Sequence, residues 1–406
     1  MSTTYRPLTE TDAVAYVKER GFFPRDAALT CREIGDGNLN LVFHLVDPKS
    51  GQSLILKQAL PYARVVGESW PLTLDRARIE AEALRIEGEL APGLVPKVIH
   101  YDADLALTVM EDLSDHIVMR KGLMARTVYP RFAEHMATFL ARTLFFTSDL
   151  YLSPEEKKAK QRAFINPEMC KITEDLVFSH PYYNADTNHF NPLIRDAVEA
   201  LWQNGALKRE VARLKEAFMT KAQALIHGDL HTGSIMVKAD STKVIDPEFA
   251  FYGPMGFDPG AVFANLLLSY ASHEGHTPNE AERRDFQAWL LETIEAIWRG
   301  FAEQFAELWA EHVKDEMWNA PGYREAYLRA VLQDAVGFAG CKMMRRVIGL
   351  AHVADLETIP DPAVRATCEK LALAIGQALV LRRETVQRIE DLTALVRDVA
   401  AERVSR

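Results

Sequence analysis

The chain has 406 residues, 48% of them hydrophobic and 26% charged, and a formal net charge of −10. That length and balance can build the cores of two lobes and exclude disorder on a large scale. The acidic excess speaks against a general binder of nucleic acid or anionic membrane, so any phosphate ligand must meet a locally positive site.

Cys31, Cys170, Cys341 and Cys368 are scattered, with no CxxC pair and no ligand-like histidine spacing. Free thiols in a reducing compartment are expected, with neither a disulfide framework nor a structural zinc. The start, MSTTYRPLTETDAVAYVKERG, is polar where a secretory signal would be basic and then apolar. No run approaches the ~18 apolar residues of a membrane span. The expectation is a cytoplasmic protein without nucleic-acid or membrane partners.

In chain order, TETDAVAYVKERG reads as a short helix that Thr9 or Thr11 can cap and Gly21 can end. Strand-like runs follow around LTCREI, LNLVFHLVD and SLILKQAL, and the stretch Asp47 to Gly51 has hairpin-loop composition. DRARIEAEALRIEGEL then repeats Ile79, Ala83, Ile86 and Leu90 at helical spacing. Two further strands are expected in VPKVIHYD and LALTVMEDL. From about Ser114 onward the pattern is overwhelmingly helical, as in YPRFAEHMATFLARTLFFT and ERRDFQAWLLETIEAIWRGFAEQFAELWAEHV. A small sheet lobe therefore precedes a larger helical lobe, with a short junction near Met110 to Ser114.

The densest chemical signal is HGDLHTGS, His227 to Ser234, followed after a short hairpin by DPE, Asp246 to Glu248. Phosphoryl transfer to an alcohol needs one carboxylate to orient the hydroxyl and others to hold magnesium. Asp229 suits the first role, and Asp246 with Glu248 the second. Two apart on an extended run, their side chains would share a face. Either triplet alone is also ordinary turn chemistry, with Asp capping a loop and Pro247 fixing its backbone.

Upstream, Gly35, Asp36, Gly37, Asn38 and Asn40 lie at the bend between two strands, where backbone amides can approach phosphate oxygens. The same string is common hairpin punctuation. Lys57 sits inside the apolar run LILKQAL and wants an anion there: a nucleotide phosphate together with Glu80 or Glu82. Helical geometry puts Glu82 slightly nearer the apolar stripe. The alternative is an edge-strand lysine facing water. No GxxxxGK[ST] string occurs, which disfavours a P-loop kinase.

A third constellation, GFAGCKMMRRVIGLAHVADL, puts Lys342 three and four residues before Arg345 and Arg346 in an apolar helical stretch. Like charges so placed repel by a few tenths of a kcal/mol per pair, unless an anion lies between them or the strip faces water.

The order of glycine-rich turn, strand lysine, HGD and DPE resembles the aminoglycoside phosphotransferase and choline kinase branch of the protein-kinase-like fold. Within it, GDGNLNLVF, WPLTLDRARIE, HGDLHTGS with DPEFAFYGPMGFD, and CKMMRRVIGLAHVAD resemble the methylthioribose kinase family, over residues 35 to 355. The branch usually has asparagine as a second metal ligand where Ser234 stands here. Serine at that place is similar to the methylthioribose kinases.

The resemblance implies an α+β bilobal fold, with a small antiparallel-sheet nucleotide lobe at 1–113 and a large helical lobe at 114–406. It implies Asp229 as catalytic base, with Mg2+ held by Asp246 and Glu248 and with Ser234 at the further ligand position. ATP would be held by Gly35, Gly37, Asn38, Asn40 and Lys57, with Glu80 rather than Glu82 pairing the lysine. Backbone groups of the Met110 to Leu113 segment, at Glu111 and Leu113, would bind adenine. Arg345 and Arg346 would contact the sugar substrate and the transferred phosphate. The implied reaction is phosphorylation of the anomeric hydroxyl of 5-methylthioribose in methionine salvage, by a homodimer. Two rivals stay open: the same chemistry on an aminoglycoside, choline or homoserine, and a non-catalytic nucleotide-binding module.

Overall fold

The protein was analysed as a computed structural model, which describes residues 5–34, 39–63 and 67–404. Gly35, Gly37 and Asn38 of the glycine-rich turn lie outside the described residues.

Helix α1 (Glu10–Glu19) starts with a capping box: the Thr9 side chain accepts from the Asp12 N–H while Asp12 reaches back to the Thr9 backbone. Of the two threonines, Thr9 is thus the cap, and Gly21 at φ 77° turns the chain out of the helix. Strands β1 (Thr30–Glu33), β2 (Asn40–Val46) and β3 (Ser53–Ala59) join Leu107–Met110 and Val98–Asp102 in a five-stranded antiparallel sheet. The β2–β3 hairpin closes where the Gly51 N–H donates to the Asp47 carbonyl at 2.8 Å.

One face of this sheet carries Leu41, Phe43, Leu45, Leu54, Leu56, Leu107 and Val109, packed on Ala13, Tyr16 and Val17 of α1. Side chains alternate along a strand, so Lys57 points to the opposite face. That face meets helix α2 (Asp75–Leu90), where Ala77 packs with Ala59 and Ala106. Ile79 and Ala83 pack on Phe164, Leu225, Ala250 and Tyr252. Burying a side chain such as Ile79 contributes roughly 2 kcal/mol. This contact seats α2 between the sheet and the segments that carry HGD and DPE.

Beyond Met110 the chain is mainly helical, through α3 (Met119–Met124), α4 (Phe132–Phe146) and the long helices Phe257–His276, Glu280–His312, Tyr323–Ile348 and Pro362–Arg382. They share one large apolar core. In Tyr323–Ile348 every residue from Asp334 to Ile348 is buried. A helix enclosed on all sides offers its charged residues no solvent face. Among the described residues no helix is long and apolar enough to cross a membrane.

Two short ladders bring the acidic triplets together. Ala224–Ile226 pairs antiparallel with Phe251–Gly253, Ile226 opposite Phe251. HGD follows the first strand and DPE precedes the second, so both emerge at the same end. Between them runs the hairpin Ile235–Lys238 with Ser241–Val244.

Candidate active site

The HGD turn is held by backbone chemistry. Gly228 has φ 84°, and a Cβ there would lie 2.3 Å from the Phe249 carbonyl oxygen, so only glycine fits between the turn and the DPE segment. The carboxylate of Asp258, in the first turn of helix Phe257–His276, accepts from the backbone N–H of His227 at 2.7 Å and of Gly228 at 3.0 Å. His227 donates through Nε2 to the Ile245 carbonyl at 2.8 Å, and its Nδ1 accepts from the Asp229 N–H at 3.2 Å. The residue before Asp246 and the residue of the expected base are therefore locked to one imidazole.

Asp229 projects from this turn with its side chain 19% exposed. The Lys342 ammonium donates to its Oδ1 at 2.7 Å, and the Arg345 guanidinium lies 3.9 Å from the same oxygen. The Gly233 N–H donates to Nδ1 of His231, which leaves the proton on Nε2, 3.4 Å from Asp229 Oδ2. Burial works against the Asp229 carboxylate, yet Lys342, His231 and Arg345 overcome it and hold its pKa well below the usual range. Burial pulls Lys342 down to about 8 against the attraction of Asp229, and pulls His231 down to about 4.

Lys342, Arg345 and Arg346 thus do not form a strip facing water: all three are buried. For Lys342 and Arg345 the first anion is Asp229. Among the described residues Arg346 forms no ion pair and donates only to the Ala351 carbonyl at 3.2 Å, while Arg345 leaves its buried Nε unpartnered. Arg120 of α3 adds a fourth cation nearby, 3.1 Å from Asp355 and 3.5 Å from His231 Nδ1. Burial and then the neighbouring Arg345 push the Arg346 pKa well below normal, a strain that an incoming anion would relieve.

On the sheet side, Lys57 belongs to an interior strand and is only 8% exposed, so it is no edge lysine. Its ammonium donates to Glu80 Oε1 at 2.7 Å and to Asp246 Oδ1. Burial opposes its charge, and the carboxylates of Asp246, Glu80 and Glu248 together raise its pKa. Glu80 is the partner, against the geometric preference for Glu82, whose carboxylate pairs with Arg78 on its own helix at 2.9 Å. The apolar stripe misled because α2 also buries polar residues, Arg76, Glu80 and Glu87.

The expected extended backbone through Asp246 and Glu248 is not found. Asp246 adopts a left-handed conformation, φ 64°, and Pro247–Phe249 form a single 3-10 turn. Asp tolerates this region and Pro favours the turn that follows. The two carboxylates diverge in setting: Asp246 is 41% exposed beside Lys57, and Glu248 is 9% exposed. Oε2 of Glu248 accepts from Arg76 Nε at 3.1 Å and from Asn40 Nδ2 at 3.3 Å.

Arg76, fully buried, also donates to the carbonyls of Leu39, Leu60 and Thr73 and to Asn40 Oδ1. It ties the residues after the glycine-rich turn to Glu248. Ser234 is buried, its N–H on the His231 carbonyl and its own carbonyl accepting from Ile245 N–H. Glu111 and Leu113 lie in the segment after Met110. The Glu111 N–H donates to Lys97, and the Leu113 carbonyl accepts from His116.

The sequence profile of the phosphotransferase enzyme family matches residues 30–301. A methylthioribose kinase of Geobacillus kaustophilus is 50% identical over 394 residues, covering 97% of each chain. One of Yersinia enterocolitica is 47% identical over 395 residues, 97% of this chain and 98% of that one. The chain belongs to the methylthioribose kinase family. Among solved structures a glucosamine kinase is similar at 14% identity and a TM-score of 0.46, covering 92% of this chain and 85% of that one. Membership makes the chain an α+β kinase, and the strings by which it resembles the methylthioribose kinase family are those that build this site. Arg76, Asp258, Arg120 and the bond from Lys342 to Asp229 escaped sequence reasoning.

Proposed function

We propose that the chain transfers the γ-phosphoryl group of ATP to the anomeric hydroxyl of 5-methylthioribose, giving the 1-phosphate and ADP for methionine salvage. The observation that carries this reading is Asp229 on a floor of buried cations, of which Arg346 has no ion pair among the described residues. A neutral sugar receiving a phosphoryl group supplies the missing anion. An aminoglycoside would ask for an acidic cleft, and choline for an aromatic cage.

Residues 1–113 act as the nucleotide lobe and 114–406 as the lobe for the acceptor. Among the described residues the Glu111 carbonyl and the Leu113 N–H keep no backbone partner, which suits one acceptor and one donor toward adenine. Lys57 and the backbone of Gly35, Gly37, Asn38 and Asn40 serve the phosphates; the Asn40 side chain is already committed to Glu248 and Arg76.

Asp246 and Glu248 fit Mg2+: they are hard oxygen donors, and with Oε2 of Glu248 occupied, Oε1 is the oxygen left for the ion. Two carboxylates, with Ser234 bonded through its carbonyl to the N–H of Ile245, next to Asp246, suit an ion that completes its shell with phosphate oxygens and water. The ion, when bound, neutralises charge on the triphosphate. Asp229 orients the acceptor hydroxyl for in-line attack, and Arg345 and Arg346 face the equatorial oxygens. By family likeness the enzyme is a cytoplasmic homodimer.

The test is turnover of 5-methylthioribose with ATP and Mg2+ beside choline, homoserine and kanamycin, with products identified by mass. Phosphorylation of methylthioribose alone is expected. Turnover of another acceptor instead would overturn the specificity, and ATP binding without turnover of any would favour a non-catalytic module.

The lysine pairing gives a second expectation. Glu80→Gln removes a charge-assisted hydrogen bond worth about 1.5–3 kcal/mol, so kcat/KM for ATP falls roughly 10- to 100-fold. Glu82→Gln, which loses only a partly exposed pair with Arg78, stays within about twofold of wild type. Equal effects in the two variants would contradict the assignment of Glu80.

A further inference from the structure

We infer that Lys342 is a positioning residue for phosphoryl transfer: by holding Oδ1 of Asp229 it commits Oδ2 to the acceptor hydroxyl. The inference rests on the kinase reading of the site and adds to it a residue and an oxygen.

The Lys342 ammonium is enclosed in helix Tyr323–Ile348, 4% exposed at its side chain. It donates to Asp229 Oδ1 at 2.7 Å and stands over the ring of Phe257, whose centroid lies 5.1 Å from Nζ. A buried lysine loses the hydration of its charge, a cost that one carboxylate and one ring face only partly offset. Were Lys342 only filling the core, methionine would serve it better. The charge therefore has work to do on Asp229, the carboxylate it bonds.

That work follows from the two oxygens of Asp229. Oδ1 faces Lys342 and Arg345, while Oδ2 faces the neutral His231, 3.4 Å away. A hydroxyl donor finds its acceptor at Oδ2. In the transfer, the hydroxyl oxygen bonds to the γ-phosphorus, the bond to the β,γ-bridging oxygen breaks with its electron pair leaving on ADP, and the hydroxyl proton passes to Oδ2. Lys342 fixes the rotation of the carboxylate throughout.

The charged groups around Asp229 set the direction of the pH effect. Lys342, Arg345 and Arg346 face it from one helix and His231 from its own loop, while Arg120 of α3 acts on His231 and on the two arginines. Asp258, on helix Phe257–His276, and Asp355 oppose them. With Lys342 charged, Asp229 stays ionised well below the usual carboxylate range. Removing that contact cation raises its pKa by about one unit or more. On the alkaline side Lys342 itself loses its proton near pH 8.

The experiment compares wild type, Lys342→Met and Lys342→Arg. The first readout is the pH dependence of kcat, and the second is the titration of the Asp229 carboxylate by 13C NMR without ATP. In Lys342→Met, kcat at pH 7 falls about 100-fold, the order expected for a mis-set general base, while ATP affinity by calorimetry stays within about threefold. Its acidic limb moves up by about one pH unit or more, and the NMR titration moves with it. Lys342→Arg keeps the acidic limb, recovers much of kcat and carries the alkaline limb above that of wild type.

An unmoved Asp229 titration in folded Lys342→Met overturns the inference. Should that variant fail to fold, an alkaline limb unchanged in Lys342→Arg overturns it equally. A wild-type protein that phosphorylates no acceptor, with the NMR shift as expected, sinks the kinase reading alone.

Discussion

Asp229→Asn is expected to lower kcat by at least about 10³-fold and to leave ATP affinity within about threefold. The amide can still offer its oxygen to Lys342, and then its NH2 faces His231 and the acceptor, where a proton must be accepted rather than given. The substitution also strips the carboxylate that pairs with Lys342 and Arg345. Lys57, the proposed phosphate contact, bonds Glu80 and Asp246 and not Asp229, so the substitution leaves those bonds intact. Steady-state kinetics and calorimetric ATP titration on the same preparation check both halves. An active Asp229→Asn, or one that loses ATP binding in proportion to turnover, would contradict the role of Asp229.

Arg346→Met carries the second large effect, and its sign in stability is the informative part. In its proposed role of facing the transferred phosphoryl oxygens, loss of this guanidinium costs about 10²–10³ in kcat, the range for removing one preorganised donor. In the free protein the same residue is a buried cation with a single carbonyl partner among the described residues, repelled by Arg345. An apolar side chain of similar length relieves that desolvation, so the melting temperature does not fall. A structural arginine would show the reverse, with activity retained and Tm lowered. Thermal melts and single-turnover transfer rates on the variant separate the two.

Much of this site was legible because its strings are local. HGD and DPE announce themselves by composition and order, and Lys57 by standing in an apolar run. The five-stranded sheet followed from alternation and hairpin chemistry, with Thr9, Gly21 and Gly51 acting as their residue types suggest. The rest depends on contacts that no periodicity encodes.

Glu80 and Glu82 differ by two positions on α2, and only the sheet beneath decides which one meets Lys57. Arg76 looks like surface charge until its five donors are seen to reach acceptors on four segments. Asp258 acts on a turn 30 residues away. Asp246 departs from strand geometry because the proline after it and its own tolerance of positive φ permit a turn there.

The most direct test of the whole account is to follow ADP release and loss of the reducing end of 5-methylthioribose together, in wild type with ATP and Mg2+. Phosphorylation at the anomeric oxygen consumes one reducing end per ADP, and that equality is the predicted result. ADP formed while the reducing end persists would place the phosphoryl group on another hydroxyl or on water, and would contradict the assignment of Asp229 and the two arginines to that reaction.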